Sequence, residues 1–322
     1  MKYIEDLKIG DSISEVYLCK EKRGGTTKNG ADYFLVTLQD KTGVLEGNIW
    51  DVNSPGINEF DKKDYVEVAG VIKEYKGKNQ INITSLRVVD VNSVNVENYI
   101  PTTDKDVDEM YGELLDIIGT IKAPYMKKLL EMHFVNDEIF IKKFRYHSAA
   151  KSVHHGFAGG LLEHTLSVTK TCDFIAKQYD YLDRDLLLTA AIFHDVGKLA
   201  ELSPYPENDY TDAGQMLGHI VIGYNMLSNS IRKIDDFPKV KRNELLHCIL
   251  AHHGEYEYGS PKKPSIAEAI ALNFADDMDA KLETMKEVMS KVKGNDISWQ
   301  GFNYLFDSNI RKTSEAYDAK KV

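Results

Sequence analysis

A set of imidazoles and carboxylates in the second half of the chain has the composition of a metal site: His164, the pair His194-Asp195, His219, the pair His252-His253, and Asp276. Neutral imidazole and ionised carboxylate together suit divalent transition metals. A carboxylate such as Asp195 can bridge two ions while flanking histidines complete each coordination sphere, so one or two ions are compatible with the set. The donors alone do not choose among zinc, iron, nickel, manganese and magnesium. Lys198 follows His194 by four residues and Asp195 by three, the spacing that places side chains on one helical face. Its ammonium could neutralise a substrate phosphate there, which makes Asp195 and Lys198 the candidate catalytic pair. Bound metal lowers the pKa of water towards ~7, so phosphate-ester hydrolysis at such a centre needs no serine or cysteine nucleophile. A single His-Asp dipeptide recurs by chance, and isolated His133, His147 and His247 are expected to be structural. The ordered set carries the inference.

The elements that must position these residues are helical. From about Asp104 the apolar periodicity predicts helices over 106–121, 124–134, 161–179, 185–202, 215–234, 238–252 and 266–292. Every member of the set falls on or at the end of one. Pro101-Thr102-Thr103-Asp104 supplies a linker and a helix start.

The preceding residues have a different character. All ten histidines lie at or after His133. Before about residue 95 the pattern is of five short strands, 12–19, 33–39, 44–50, 65–72 and 80–89, separated by turn-rich segments. Their order resembles an OB-fold barrel, with a long loop after the first strand and a hairpin between the fourth and fifth. Those first 95 residues carry 13 basic and 15 acidic side chains, so no global basic field favours nucleic acid. The basic residues gather at two loops instead. Lys20, Lys22, Arg23 and Lys28 surround the first against Glu21, and Lys73, Lys76 and Lys78 surround the second against Glu74. Lys22, Arg23, Lys76 and Lys78 are the candidate phosphate contacts, with Tyr33 and Trp50 as candidate base-stacking rings. Adjacent Tyr33 and Phe34 should point to opposite faces. The aromatic tail Trp299, Phe302, Tyr304 and Phe306 is expected to pack and close the helical domain.

At 322 residues the chain exceeds the usual single core, which favours two domains. Its 43% hydrophobic and 28% charged content is ordinary for a soluble protein, and no apolar run approaches the ~20 residues of a membrane span. Met1–Gly10 has no signal-peptide pattern, and Cys19, Cys172 and Cys248 form no disulfide framework. A cytoplasmic protein without a membrane partner is expected.

The stretches Gly159-Gly160-Leu161-Leu162-Glu163-His164-Thr165, Phe193-His194-Asp195-Val196-Gly197-Lys198, Gly218-His219, His252-His253-Gly254 and Ala275-Asp276, taken in order, resemble an HD domain over roughly residues 145–285. The resemblance implies that His164, His194, Asp195 and Asp276 bind one metal. It implies a second ion on His219 and His252 or His253, beside bridging Asp195. Within that superfamily, His252-His253-Gly254-Glu255, Tyr258-Gly259-Ser260-Pro261, Glu268-Ala269 and Asp276-x-x-Asp279-Ala280-Lys281 are similar to the YhaM-type 3′-to-5′ exoribonucleases. The His154-His155-Gly156 approach also fits and makes both histidines candidate substrate contacts. Cyclic-dinucleotide phosphodiesterases of the HD-GYP type resemble the same stretch, but Ser260 stands where their tyrosine belongs.

The resemblance implies an all-β OB-fold nucleic-acid-binding domain at 1–95, a helical linker region at 96–144 and an all-α HD phosphohydrolase domain at 145–322. It further implies manganese as the metal, single-stranded RNA as substrate and nucleoside 5′-monophosphates as products. Single-stranded DNA and a homo-oligomeric state are compatible with it. Two rival functions are an HD phosphohydrolase of nucleotides or cyclic dinucleotides with a regulatory barrel, and a non-catalytic single-strand-binding protein.

Overall fold

Apolar side chains alternate along five strands of the N-terminal part: β1 (Ser12–Thr26), β2 (Asp32–Asp40), β3 (Gly43–Ile49), β4 (Tyr65–Tyr75) and β5 (Lys78–Val89). In the computed structural model these close into a barrel of order β1-β2-β3-β5-β4, with β4 pairing back onto β1. The β3–β5 pairing is parallel, Glu46–Asn48 against Gln80–Asn82, and the other pairs are antiparallel. This is the OB-fold architecture. The inward positions Tyr17, Val36, Leu38, Ile49, Val66, Val68, Ile72, Ile81 and Leu86 form the barrel core. The structure describes residues 1–322 except 28, 96–97, 152–154, 291, 293–296 and 315–322, so Lys28 and His154 lie outside the described residues.

One expectation for the barrel is corrected. The segment after the first strand is not a long loop but a continuation of the β1–β2 ladder, paired as far as Thr26↔Asp32. Gly24-Gly25 looked like a turn because glycine has poor strand propensity. Here the Tyr33 ring lies across Gly25, so close that a Cβ would sit 2.6 Å from it. An aromatic ring on a strand glycine restores the packing that glycine lacks.

The helical unit comprises α1 (Val107–Gly119), α2 (Pro124–Phe134), α3 (Glu138–Tyr146), α4 (Gly160–Gln178), α5 (Arg184–Phe193), α6 (Lys198–Glu201), α7 (Asp212–Ile231), α8 (Lys239–Ala251) and α9 (Ala267–Ser290). Asp106, Asp137, Asp183 and Thr211 cap α1, α3, α5 and α7 by accepting from backbone amides of the first turn. The nine-residue α3 was not expected, being too short for a clear period. Residues expected as a linker region instead supply core: Met110, Leu114, Ile118, Met126, Leu129, Leu130, Phe134 and Phe144 pack in one cluster with α4, α5, α8 and α9. The compact units are 1–104 with 203–209, and 105–202 with 210–322.

Every residue of α5 from Leu186 to Phe193 is buried, so this helix is the axis of the second unit. Phe193 meets Phe134 edge-on at 5.4 Å, and Phe134 meets Phe140 and Phe144 at 5.1 and 5.0 Å. The expected helix over 185–202 is interrupted after Phe193 and resumes as α6. A short hairpin, β6 (Trp299–Asn303) and β7 (Ser308–Arg311), follows α9. Its aromatics do not close the core: Trp299, Phe302 and Tyr304 are exposed, Tyr304 by 92%. No helix among the described residues is long and apolar enough to cross a membrane.

Phe193 joins the aromatic cluster to His194. Phe193→Ala should destabilise the helical unit by about 3–5 kcal/mol. Urea titration followed by helical circular dichroism measures this; a loss under ~1 kcal/mol would show that the aromatic cluster does not anchor α5.

Candidate metal centre

Five helices and the turn after α5 converge on one side chain. His164 comes from the first turns of α4, His194 caps the C-terminus of α5, and Asp195 follows in the turn before α6. His252 caps α8, and Asp276 lies on α9. His219 lies in α7 just past Gly218, whose φ of 71° and ψ of 156° bend that helix. Only glycine takes such a φ readily. Gly197 serves differently: a Cβ there would sit 2.0 Å from the His219 carbonyl oxygen, so its absence lets the His194–Lys198 turn lie against α7.

Asp195, 2% exposed, stands between two groups of donors. Its Oδ2 lies 3.4 Å from His164 Nε2 and 3.4 Å from His194 Nε2. Asp276 Oδ1 is 3.2 Å from His164 Nε2 and 3.8 Å from His194 Nε2, completing the first group. The other oxygen, Oδ1, lies 3.5 Å from His219 Nε2 and 3.7 Å from His252 Nε2. His219, His252 and His253 form the second group, with ligand atoms all within 4.8 Å of one another. Lys198 Nζ sits 2.6 Å from Asp195 Oδ2.

All five imidazoles are turned the same way. Nδ1 of His194 donates to the Ala191 carbonyl at 2.7 Å, that of His252 to Ile249 at 2.7 Å, and that of His253 to Tyr258 at 2.8 Å. His219 Nδ1 meets Glu201 Oε1 at 3.0 Å, and His164 Nδ1 meets Asp279 Oδ2 at 2.7 Å. A proton fixed on Nδ1 leaves the Nε2 lone pair for a metal, the arrangement of metal-ligating histidines. Asp195 Oδ1, His219 Nε2 and His252 Nε2 are buried with no hydrogen-bond partner among the described residues. Donors about 2.1 Å from one ion and at right angles lie about 3 Å apart, so the first group's spacing suits a divalent ion. The residues therefore fit a metal in donor type, tautomer and spacing.

The electrostatics agree. Burial opposes charge on Asp195, yet Lys198, His194 and His164 hold its carboxyl well below the usual range. Burial likewise disfavours a charged His164, but hydrogen bonds to Asp195, Asp276 and Asp279 raise its pKa well above the ordinary value. The lone pairs that keep a proton on His164 are those a divalent ion requires. Burial pushes His252 well down and His253 down, helped by neighbouring imidazoles, so both stay neutral donors. Lys198 remains charged: burial lowers its pKa, and Asp195 more than restores it.

His164, Lys198, His219, His253 and Asp276 open onto a cavity of about 720 Å³, which Lys151, Tyr210, Tyr258 and Lys281 also line. That volume lies within the range of about 300–1,000 Å³ usual for ligand pockets. Lys198 reaches Asp195 as expected, though across a turn and the start of α6 rather than along one helix. His155 is corrected: it is buried, with Nε2 3.0 Å from Asp279 Oδ2, so it braces the centre and does not face substrate. Sequence reasoning missed Glu201 and gave Asp279 little weight. The i,i+3 spacing from Asp276 was the available signal for Asp279; Glu201 had none, since only the kink at Gly218 brings His219 to it.

In the barrel, Tyr33 and Trp50 pair at 5.6 Å between ring centroids, while Phe34 turns inward against Phe60 at 5.9 Å. Tyr33, Trp50, Tyr75, Lys20 and Arg23 line a groove of about 880 Å³. Lys76 and Lys78 border a smaller recess of about 200 Å³ beside Tyr75. Lys22 is corrected as a phosphate contact. Its ammonium donates to the Phe60 carbonyl at 2.6 Å and lies 4.5 and 4.3 Å from the Phe34 and Phe60 ring centroids, already committed. Arg23 pairs with exposed Glu21 at 2.6 Å.

A bundle of helix ends presenting this His and Asp set defines a metal-dependent hydrolase with an HD domain, and the HD domain family model matches residues 161–281. The chain is 32% identical over 289 residues to the 3′-5′ exoribonuclease YhaM of Bacillus velezensis, covering 88% of this chain and 90% of that one. Identity and coverage are the same for the protein of that name from Bacillus subtilis. The chain belongs to the YhaM 3′-5′ exoribonuclease family. Over 29% of its length it is also similar to the second OB-fold domain of replication protein A from Methanococcus maripaludis, at 21% identity and a TM-score of 0.24 with 97% of that domain covered.

Asp195→Ala should abolish hydrolysis and lower bound divalent metal while leaving the helical signal intact, because its two carboxylate oxygens lie against the two donor groups. Metal analysis alongside circular dichroism tests this; a variant that kept its full metal content would show that Asp195 is no ligand.

Proposed function

We propose that this enzyme hydrolyses single-stranded RNA from its 3′ end, releasing nucleoside 5′-monophosphates. The observation that carries the reading is the Asp195 carboxylate, shared between two imidazole-rich donor groups at the wall of an open cavity. His164, His194, Asp195 and Asp276 would hold one ion, and His219, His252 and His253 a second on the far oxygen of Asp195, with manganese the expected metal. Divalent ions bound there polarise phosphoryl oxygens and lower the pKa of water towards about 7.

The chain's own groups do the rest. Lys198 keeps a charged ammonium at the cavity wall, where it can donate to a non-bridging phosphoryl oxygen as negative charge develops. Water adds to phosphorus, losing a proton, as the bond to the 3′ oxygen breaks; that oxygen takes up a proton and stays on the shortened strand as a 3′-hydroxyl, and the terminal residue leaves as a 5′-monophosphate. The Nδ1 hydrogen bonds hold each imidazole in place through the cycle, so little reorganisation is required. The barrel groove offers stacking rings in Tyr33, Trp50 and Tyr75 with basic Lys20 and Arg23, a combination suited to single strands of any sequence.

A 5′-labelled single-stranded oligoribonucleotide incubated with the intact chain and manganese should shorten stepwise from its 3′ end, and chelator should stop it. Lys198→Ala should lower turnover on the order of 100-fold or more without loss of metal. An oligomer left intact under every divalent ion tested would sink the exoribonuclease reading, and a parallel oligodeoxyribonucleotide reports RNA selectivity.

Trp50→Ala should weaken binding of long single strands by ~1–3 kcal/mol while leaving the slope of log affinity against log salt unchanged, since stacking releases no counterions. Titration at several salt concentrations separates the two effects. Unchanged affinity would remove the groove from the RNA path.

A further inference from the structure

In each donor group one imidazole differs from the rest. Nδ1 of His194, His252 and His253 rests on a neutral backbone carbonyl. Nδ1 of His164 rests on the Asp279 carboxylate, and Nδ1 of His219 on the Glu201 carboxylate. We propose that Asp279 and Glu201 are positioning residues, one per half of the centre, which set the affinities of the two ions separately through His164 and His219. This rests on the two-ion form of the function proposed above.

The Asp279 arrangement is clamped from three elements. Its Oδ2 accepts from His164 Nδ1 at 2.7 Å and from His155 Nε2 at 3.0 Å, and its Oδ1 accepts from Ser167 Oγ. Ser167 follows His164 by three on α4, and Asp279 follows Asp276 by three on α9, so each pair shares a helical face. α9 thereby reaches both nitrogens of one ring, Asp276 at Nε2 and Asp279 at Nδ1. His155, Asp279 and His164 could be taken for a cation site of their own. Yet Asp279 already accepts three hydrogen bonds, and an ion there would have to take the nitrogen of His164 that bears the fixed proton. Orientation of the ring accounts for all three contacts.

Glu201 does the equivalent work across the centre. One oxygen, Oε1, accepts both the His219 backbone N–H at 2.9 Å and His219 Nδ1 at 3.0 Å. The double contact fixes the residue just after the Gly218 bend. An anionic acceptor on Nδ1 raises the basicity of Nε2 more than a carbonyl does, and losing such partners elsewhere costs 10–100-fold in metal affinity.

Manganese titration of the intact, metal-stripped chain by calorimetry reads this directly. The wild type should take up two ions. Asp279→Asn should weaken one binding step by about 10–100-fold, Glu201→Gln the other, and the double variant both. Each variant should still melt cooperatively in chelator, at a lower temperature than the wild type, because the amides keep the volume of the carboxylates but give up charge-assisted hydrogen bonds. Ser167→Ala, which removes only a donor to Asp279, should weaken the same step as Asp279→Asn by a smaller factor and covers the case in which Asp279→Asn fails to fold. Two wild-type ions with unchanged affinities in the variants would overturn this assignment alone. One ion in the wild type would overturn the division into halves. No ion at all would overturn the function proposed above together with it.

Discussion

A buried carboxylate ringed by imidazole nitrogens is electrostatically incomplete, and this fact about Asp195 organises the second unit of the protein. Removing an ionised carboxylate from water costs several kcal/mol even after relaxation, and it persists only where opposite charge or hydrogen bonds replace the lost hydration. Lys198 supplies one such charge on Oδ2, but Oδ1 has no hydrogen-bond partner among the described residues, nor has Nε2 of His219 or His252. Lone pairs facing lone pairs in a dry interior repel unless a cation lies between them. A divalent ion held between the two donor groups would supply that charge.

Several of the donors come from helix ends. An α-helix terminus lets the chain turn sharply, so a residue just past the last turn can aim at a point that a mid-helix residue cannot reach. His194 and His252 both occupy C-cap positions, with Nδ1 returned to the carbonyl three residues back in their own helix. Those carbonyls would otherwise lack an intrahelical partner. The same hydrogen bond thus caps the helix and sets the tautomer. Two glycines complete the geometry, Gly197 by close approach and Gly218 by its left-handed φ.

The barrel is built on the opposite balance, apolar inside and wet outside. Trp50 and Tyr75 stand exposed on the barrel and Tyr33 half-buried beside Trp50, while the strand period sends the adjacent Phe34 inward. Lys22 shows how this surface is trimmed: its stem and charge are spent on Phe34 and Phe60 at the barrel.

Residue order along the chain was enough to read the barrel followed by helices, most helix positions and a candidate donor set, because donor chemistry and hydrophobic period are local properties. His164, His194, Asp195, His219, His252, His253 and Asp276 could be named as candidate donors from type and order, and the fold brings them together. What required the tertiary structure was everything set by backbone direction and by partners distant in sequence. The break after Phe193 depends on Gly197 meeting α7, and the glycine strand of the first hairpin depends on the Tyr33 ring covering it. The helices before residue 147 join the main core, with Phe134 backed by Phe140 and Phe144 and meeting Phe193. Asp279 showed only its spacing from Asp276 and Glu201 showed no signal, since their roles exist only against His164 and His219, which lie 115 and 18 residues away. Period and composition report what a residue can do; which partner it does it with is decided by packing.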